Sequence, residues 1–109
     1  MILHSPKSKI ISTKINLPAS KSISNRALII QSLCNENFKI HNLSIAEDTQ
    51  LMIQALNQSN KEIDIHHAGT CMRFLTAYFV ATNQNKIITG SNRMKQRPIK
   101  TLVDALKSI

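Results

Sequence analysis

Glycine, proline and aromatic residues are scarce in this sequence. Its 109 residues include two glycines, three prolines and no tryptophan, and aromatic residues make up 4%. So few glycines argue against a glycine-rich phosphate loop, and so few glycines and prolines argue against a low-complexity linker. The sequence also has no apolar run close to the roughly 18 residues that a membrane span needs.

Secretion and metal-binding signals are also missing. The first residues show no basic stretch followed by an apolar one, so we expect no signal peptide. Cys34 and Cys71 have no zinc-ligand spacing, and neither do the adjacent His66 and His67. We therefore expect no metal site, free thiols and a location in the reducing cytoplasm. Cys34 falls on an apolar helix face, so we expect it in the core.

Acidic residues are few relative to basic ones. Fourteen Lys and Arg against six Asp and Glu give a formal net charge of +8 at pH 7. This charge predicts an anionic partner, which could be nucleic acid, an acidic membrane surface or a phosphorylated metabolite. The lysines are scattered, whereas the four arginines fall in three short polar clusters. Because arginine binds carboxylate and phosphate through two parallel hydrogen bonds, this pattern favours a small anionic ligand.

Hydrophobic periodicity predicts alternating strands and helices. Residues 11–17, 38–43, 63–65 and 86–89 are each typical of a short strand. Apolar spacings of three and four predict four helices, of which the first covers residues 23–34 and the third covers residues 72–79. The second helix follows Ser44 as its N-cap, with Glu47 and Asp48 in its first turn. The fourth helix begins at Pro98. This alternation predicts an α/β or layered α+β fold. Because no stop signal follows the last helix, we expect the chain to be incomplete.

The first polar cluster lies in residues 17–26. Lys21 and Ser22 lie at a predicted helix start, where free backbone N–H groups and the helix dipole attract anions. Arg26 follows Ser22 by four residues and therefore shares its helix face. An ammonium, a hydroxyl and a guanidinium can thus converge on one phosphate or carboxylate. The alternative interpretation is a capped helix with solvated charges.

The other two clusters are residues 67–73 and 93–98. Gly69 permits close approach of a ligand to the backbone, Thr70 can cap the third helix or offer its hydroxyl, and Arg73 follows one turn later. The alternative is an ordinary glycine turn with a threonine cap. Residues 93–98 contain three cations, whose repulsion is relieved by solvent or by a bound anion. A solvated loop or a nucleic-acid contact is the alternative there.

The three clusters together resemble the 5-enolpyruvylshikimate-3-phosphate synthase family. The resemblance is carried by Pro-Ala-Ser-Lys-Ser-Ile-Ser-Asn-Arg at 18–26, Ala-Gly-Thr-Cys-Met-Arg at 68–73 and Arg-Met-Lys-Gln-Arg-Pro at 93–98, with a further similar stretch at 42–49. Two alternatives remain. One is a UDP-N-acetylglucosamine enolpyruvyl transferase, against which the Ser-Lys-Ser-Ile-Ser-Asn-Arg run argues. The other is a small basic protein that binds anions or nucleic acid.

The resemblance implies an enzyme that transfers the enolpyruvyl group from phosphoenolpyruvate to the 5-hydroxyl of shikimate 3-phosphate, without a cofactor. It implies a two-domain, inside-out α/β barrel built from βαβαββ units, with residues 1–20 in one domain and 21–109 beginning the other. It also implies a cytoplasmic monomer of aromatic amino acid biosynthesis that binds neither nucleic acid nor membranes. We expect the 109 residues alone to be inactive, because the proton-transfer residues would lie outside them.

The resemblance also implies roles for individual residues. Lys21 would contact phosphoenolpyruvate, Ser22 and Arg26 would hold shikimate 3-phosphate, and Gly69 and Arg97 would complete the phosphoenolpyruvate side. The expected supporting residues are Asp48, Thr70, Arg73 and Arg93. No residue of this segment is assigned a catalytic role.

The sequence departs from the family pattern at three places. His67 stands where the family often has Asn, and Phe74 stands where it often has Pro. The connection between the second predicted helix and Gly69 is also short.

Overall fold

Five helices and two short strands form the regular structure of the described residues. The computed structural model describes residues 2, 4, 10, 12–34 and 38–109. The elements are α1 (Lys21–Leu33), α2 (Glu47–Asn57), β1 (Glu62–Asp64), α3 (Gly69–Ala81), β2 (Ile87–Thr89), α4 (Asn92–Lys95) and α5 (Lys100–Lys107). Strands β1 and β2 pair in parallel, with Ile63 opposite Ile88, and α3 is the crossover between them. A mixed structure of helices and strands, as predicted, is therefore present.

The core forms around α3. Cys71, Leu75 and Phe79 recur every four residues and are buried, so one face of α3 is fully covered. Helices α1 and α2 pack on α3 and on each other, and the sheet contributes Ile63. The buried apolar residues are Leu28, Met52, Ala55, Ile63, Ile65, Ala68, Cys71, Met72, Leu75, Phe79 and Met94. Among the described helices, none has the length and apolar composition that a bilayer crossing requires.

Two of the four predicted strands are wrong in the described residues. Residues 12–20 contain no strand, and Ile15 and Leu17 are 73% and 85% exposed; Ile11 lies outside the described residues. Alternation alone does not make a strand, because a strand also needs a hydrogen-bonded neighbour and a covered face. Residues 38–43 are irregular because Asn42 adopts a φ of 56°, which interrupts an extended run.

The predicted cap at Ser44 is also wrong. Helix α2 begins at Glu47 and has Ala46 as its N-cap, without a side-chain cap hydrogen bond. Ser44 is buried, and its backbone N–H donates to the Ser24 hydroxyl oxygen at 2.9 Å. The Ser44 hydroxyl accepts a hydrogen bond from the Ala46 N–H at 3.2 Å. Ser44 therefore stabilises the connection before α2 and does not cap the helix. The prediction that Glu47 and Asp48 lie in the first turn is confirmed.

Three further sequence predictions need correction. Thr70 does not cap α3, because the helix already begins at Gly69 with Ala68 as N-cap. Pro98 precedes the last helix, which begins at Lys100, and the short helix α4 that lies before it was not predicted. Cys34 is exposed and not in the core, because α1 ends at Leu33 and the backbone becomes extended at Cys34.

Candidate anion-binding site

Side-chain contacts bring the first turns of α1, α2 and α3 together. The Lys21 ammonium, on the first residue of α1, donates to the Asp48 carboxylate at 3.1 Å. The Cys71 thiol of α3 donates to the Asp48 backbone carbonyl at 3.0 Å. Each helix carries a partial positive charge at its first turn. The starts of α1 and α3 therefore favour an anion, whereas the start of α2 is already occupied by the Glu47 and Asp48 carboxylates.

The first two turns of α1 present the three polar residues predicted from the first cluster. The Ser20 hydroxyl caps the helix by accepting from the Ile23 N–H at 3.4 Å. Ser22 and Arg26 lie one turn apart, and Arg26 Nη1 donates to the Ser22 carbonyl at 3.3 Å. Ser22 and Arg26 are exposed, so both side chains are accessible to a ligand. This part of the site consists of Lys21, Ser22 and Arg26, and we call it the α1 half.

The guanidinium of Arg97 lies against the bare backbone of Gly69. A Cβ added at Gly69 would lie 2.1 Å from Arg97 Nη1 and 3.1 Å from its Cζ. Only glycine leaves space for this approach. Arg73 connects the same two regions, because it donates to the Gly69 carbonyl at 3.2 Å and to the Pro98 carbonyl at 3.1 Å. Arg73 thus fixes the first turn of α3 relative to the residue that follows Arg97.

The loop before Gly69 is shaped by Asp64 and His66. The Asp64 carboxylate accepts from the His66 N–H at 2.7 Å, which is an Asx turn. His66 then adopts a φ of 47°, and its carbonyl accepts from the Ser91 N–H at 3.0 Å. A Cβ at Gly90 would lie 2.6 Å from that carbonyl oxygen. Gly90 therefore lets the end of β2 approach the loop that positions Gly69.

A small cavity lies beside Arg97. Its volume is about 120 Å³, and it is lined by His67, Ser91, Arg93, Met94 and Arg97. His67 Nδ1 is 2.9 Å from the Ser91 hydroxyl oxygen, which also accepts from the Met94 N–H. Ser91 can therefore donate its hydroxyl hydrogen to a neutral His67. Sequence reasoning missed Ser91, although a serine directly before a helix is a recognisable cap signal. We call Gly69, Arg93 and Arg97 the α3–α4 half.

Cys71 lies between the two halves and is chemically inert at neutral pH. Burial, followed by the nearby Asp48 carboxylate, raises the pKa of Cys71 from 9.0 to about 12, although Lys21 partly offsets this. The thiol is fully buried and stays protonated. Because the thiolate is the nucleophilic form, Cys71 is a structural link between α2 and α3.

The structure brings together most of the residues predicted for the site. Lys21 pairs with Asp48, Ser22 with Arg26, Arg97 with Gly69, and Arg93 lines a cavity with Arg97. Thr70 is half-buried in the first turn of α3. In the described part of the chain, the ion pairs are Lys21–Asp48 and Lys100–Asp104, so the arginines there have no carboxylate partner.

The polar groups of the site are mostly cations and hydroxyls. Across residues 12–34 and 38–109 and the three other described positions, no three His, Cys, Asp or Glu side chains are grouped as metal ligands. What the site offers is a set of cations, hydroxyls and helix starts. This set of groups suits anions that carry phosphate or carboxylate.

Comparison with known proteins assigns both parts of the chain to the same family. The model of the family EPSP synthase (3-phosphoshikimate 1-carboxyvinyltransferase) matches residues 6–63 and 57–109. The two matched segments meet at the connection between α2 and β1.

Curated relatives agree with this match. A 3-phosphoshikimate 1-carboxyvinyltransferase of Bacteroides fragilis (strain YCH46) is 56% identical over 91% of this chain and 24% of its own length. That of Buchnera aphidicola subsp. Baizongia pistaciae (strain Bp) is 39% identical over 90% of this chain and 29% of its own length. The pentafunctional AROM polypeptide of Pneumocystis carinii is 39% identical over 88% of this chain and 8% of its own length. The chain thus spans 24% and 29% of the length of these two 3-phosphoshikimate 1-carboxyvinyltransferases.

Proposed function

The chain belongs to the 3-phosphoshikimate 1-carboxyvinyltransferase family, and from that premise we propose that its protein transfers the enolpyruvyl group of phosphoenolpyruvate to the 5-hydroxyl of shikimate 3-phosphate, releasing phosphate. The observation that carries the proposal is the Arg97 guanidinium against Gly69, beside the junction of three helix starts. With this activity we propose the two-domain, inside-out barrel, with residues 1–20 in one domain and 21–109 beginning the other. We also propose a cytoplasmic monomer that requires no cofactor.

Ser22 and Arg26 of the α1 half form the proposed site for shikimate 3-phosphate. Ser22 supplies a hydroxyl and Arg26 supplies a guanidinium from the same helix face, one turn apart. A guanidinium matches a phosphate through two parallel hydrogen bonds. The start of α1 adds the partial positive charge of the helix dipole. These features support binding of a phosphate group at this end of α1.

The α3–α4 half, together with Lys21, is the proposed site for phosphoenolpyruvate. Arg97 and Lys21 supply positive charge, and Gly69 leaves the space in which Arg97 lies. Arg73 supports this half by fixing the Gly69 turn. Asp48 orients the Lys21 ammonium. We propose that Arg93 and Thr70 line the site.

The proposed mechanism depends on proximity and on electrostatic stabilisation. Protonation of the methylene of phosphoenolpyruvate lets the 5-hydroxyl attack the neighbouring carbon and give up its proton. The tetrahedral intermediate then loses phosphate and a proton from its methyl group, which restores the enolpyruvyl double bond. Cations that hold two anions side by side overcome the repulsion between the anions and make the attack effectively intramolecular. A positioned acid and base must move the protons. We assign these steps to none of the described residues, and the raised pKa of Cys71 argues against that thiol.

The direct test is phosphate release by the complete natural protein that carries these residues. We expect phosphate to be released from phosphoenolpyruvate only when shikimate 3-phosphate is also present. Unphosphorylated shikimate is the matched control, because it keeps the 5-hydroxyl and the carboxylate and lacks the phosphate. No phosphate release with shikimate 3-phosphate would contradict the proposal.

Two controls separate this proposal from the alternatives. UDP-N-acetylglucosamine replaces shikimate 3-phosphate in the first, and activity with it would indicate the other enolpyruvyl transferase. Duplex DNA replaces both substrates in the second. Tight DNA binding that falls steeply with salt, without any phosphate release, would indicate a nucleic-acid-binding protein.

A further inference from the structure

We propose that Phe74 is a positioning residue, which orients the Arg26 guanidinium for binding shikimate 3-phosphate. The proposal rests on the proposed function and adds one residue to it. Nothing in the three polar clusters points to Phe74, because it follows the second cluster and carries no polar group.

Phe74 and Arg26 meet across the contact between α1 and α3. The Arg26 Cζ lies over the Phe74 ring, 6.0 Å from its centroid. Cation–π attraction extends to about 6 Å from the ring centroid. Phe74 is half-buried and packs against the hydrophobic core, whereas Arg26 is exposed. The ring is therefore the fixed partner and the guanidinium is the one that is held.

Arg26 has few other constraints. Its Nη1 donates to the Ser22 carbonyl at 3.3 Å. Within the described residues, the two ion pairs do not include Arg26. One hydrogen bond leaves a long side chain free to rotate about its remaining torsions. The aromatic ring restricts that freedom, which lowers the conformational entropy lost when a ligand binds.

A ring is well suited to this task because it attracts the guanidinium without accepting hydrogen bonds from its N–H groups. The N–H groups of arginine lie in the plane of the guanidinium and point outward from its edges. A carboxylate partner would occupy those edges, which are the groups that a phosphate needs for two parallel hydrogen bonds. Phe74 therefore fixes Arg26 without competing with the ligand.

Phe74 and its neighbour Arg73 act on different halves of the site. Arg73 donates to the Gly69 and Pro98 carbonyls and so belongs to the α3–α4 half. Phe74 contacts Arg26 of the α1 half. A substitution at Phe74 should consequently weaken shikimate 3-phosphate binding more than phosphoenolpyruvate binding.

The test compares Phe74→Leu with Phe74→Tyr in the complete natural protein. Leucine keeps an apolar side chain and removes the ring, whereas tyrosine keeps the ring. We expect Phe74→Leu to raise the KM for shikimate 3-phosphate, and its Kd by calorimetry, about threefold. The KM for phosphoenolpyruvate should change less, and Phe74→Tyr should restore the wild-type values. Equal changes in both KM values, or a Phe74→Tyr variant as weak as Phe74→Leu, would overturn the proposal.

A second experiment tests whether Phe74 acts through Arg26 or through general packing of the core. In an Arg26→Ala protein, Phe74→Leu should cause no further loss of shikimate 3-phosphate affinity, because its effect acts through Arg26. The same threefold loss in both backgrounds would overturn the proposal. If Phe74→Leu lowers the melting temperature markedly, Phe74→Met, which fills irregular core space more readily, takes its place.

Failure of this inference is distinguishable from failure of the proposed function. A wild-type protein that neither binds shikimate 3-phosphate nor releases phosphate would contradict the function, and the inference with it. An active wild-type protein with an unaltered Phe74→Leu variant would overturn the inference alone.

Discussion

The two halves of the candidate site hold their cations by different means. In the α1 half, Lys21 is paired with the Asp48 carboxylate and Arg26 lies over the Phe74 ring. In the α3–α4 half, Arg97 lies against Gly69, where a side chain is missing. The α1 half thus orients its cations by an ion pair and a cation–π contact, whereas the α3–α4 half orients Arg97 by leaving space for its side chain.

This difference has consequences for charge. A carboxylate partner orients a lysine but neutralises part of its field, whereas a gap in the packing orients an arginine and leaves its charge intact. Added side-chain volume should therefore disturb the α3–α4 half most, whereas a change of charge should disturb the α1 half most. Substitutions that change only one of these properties test the distinction.

The largest expected effect comes from Gly69→Ala. The added Cβ would lie 2.1 Å from Arg97 Nη1, so the guanidinium must move. Because a displacement of about 1 Å can cost a factor of about 100, we expect kcat/KM for phosphoenolpyruvate to fall by roughly 10- to 100-fold. The melting temperature should not fall, because alanine favours a helix more than glycine does. Steady-state kinetics and thermal unfolding measure the two quantities.

Gly90→Ala is the matched control for this substitution. Its Cβ would lie 2.6 Å from the His66 backbone carbonyl, which cannot rotate away as an arginine side chain can. We expect Gly90→Ala to lower the melting temperature. Two variants with the same stability loss would show that Gly69 is needed for packing and not for the placement of Arg97.

A smaller effect is expected from Asp48→Asn, which changes the charge beside Lys21 of the α1 half. This change removes the ion pair with Lys21 and a favourable charge in the first turn of α2. We expect the free energy of unfolding to fall by about 1 kcal/mol. Glu47→Gln is the control, because it removes a first-turn charge without an ion pair to Lys21, and should cost about 0.5 kcal/mol.

Urea unfolding at low and high salt measures both variants. Salt should reduce the difference between them, because the Lys21–Asp48 pair is partly exposed. Equal losses for Asp48→Asn and Glu47→Gln at low salt would mean that the ion pair does not stabilise the contact between α1 and α2.

The smallest effect at neutral pH concerns the two thiols. Cys34 is exposed and Cys71 is buried, so iodoacetamide at pH 8 should modify Cys34 alone until denaturant is added. Mass spectrometry after digestion identifies the modified residue. Rapid modification of Cys71 in the folded protein would contradict its placement between α2 and α3.

Cys71 also predicts a pH dependence in the alkaline range. The pKa of Cys71 is raised from 9.0 to about 12, so the unfolded chain loses this proton at lower pH than the folded one. The thiol therefore contributes no pH dependence below pH 9, and the free energy of unfolding should decrease as the pH rises from 9 towards 12. Cys71→Ala should lack this decrease. Parallel curves for both proteins would contradict the raised pKa.

The sequence predicts which polar side chains share a helix face better than it predicts the sheet. Ser22 and Arg26 are four residues apart in one helix, so their spacing alone places them on a shared face, and Lys21 directly precedes them at the helix start. A strand depends on a partner that is distant in the chain, and the alternation at residues 12–17 does not reveal that a partner is missing there. The failed strand at residues 38–43 has a local cause in Asn42, whose left-handed backbone no hydrophobic pattern reveals.

Contacts between residues that are far apart in the chain are not predicted from the sequence. Gly69 and Arg97 are 28 positions apart, and Arg26 and Phe74 are 48 apart. Residue types indicate that each arginine binds anions, but only the packing of α3 shows what orients them. The burial that raises the pKa of Cys71 is likewise a property of the three packed helices.

The central claim is that Arg26 and Arg97, one from each half, bind different substrates, and the most direct measurement compares Arg26→Ala with Arg97→Ala. Both KM values are determined for each variant of the complete natural protein, with Lys107→Ala as a control for loss of one exposed charge. Arg26→Ala should mainly raise the KM for shikimate 3-phosphate, and Arg97→Ala that for phosphoenolpyruvate, by roughly 10-fold or more. Equal increases of both KM values in both variants would contradict the division of the site into two halves.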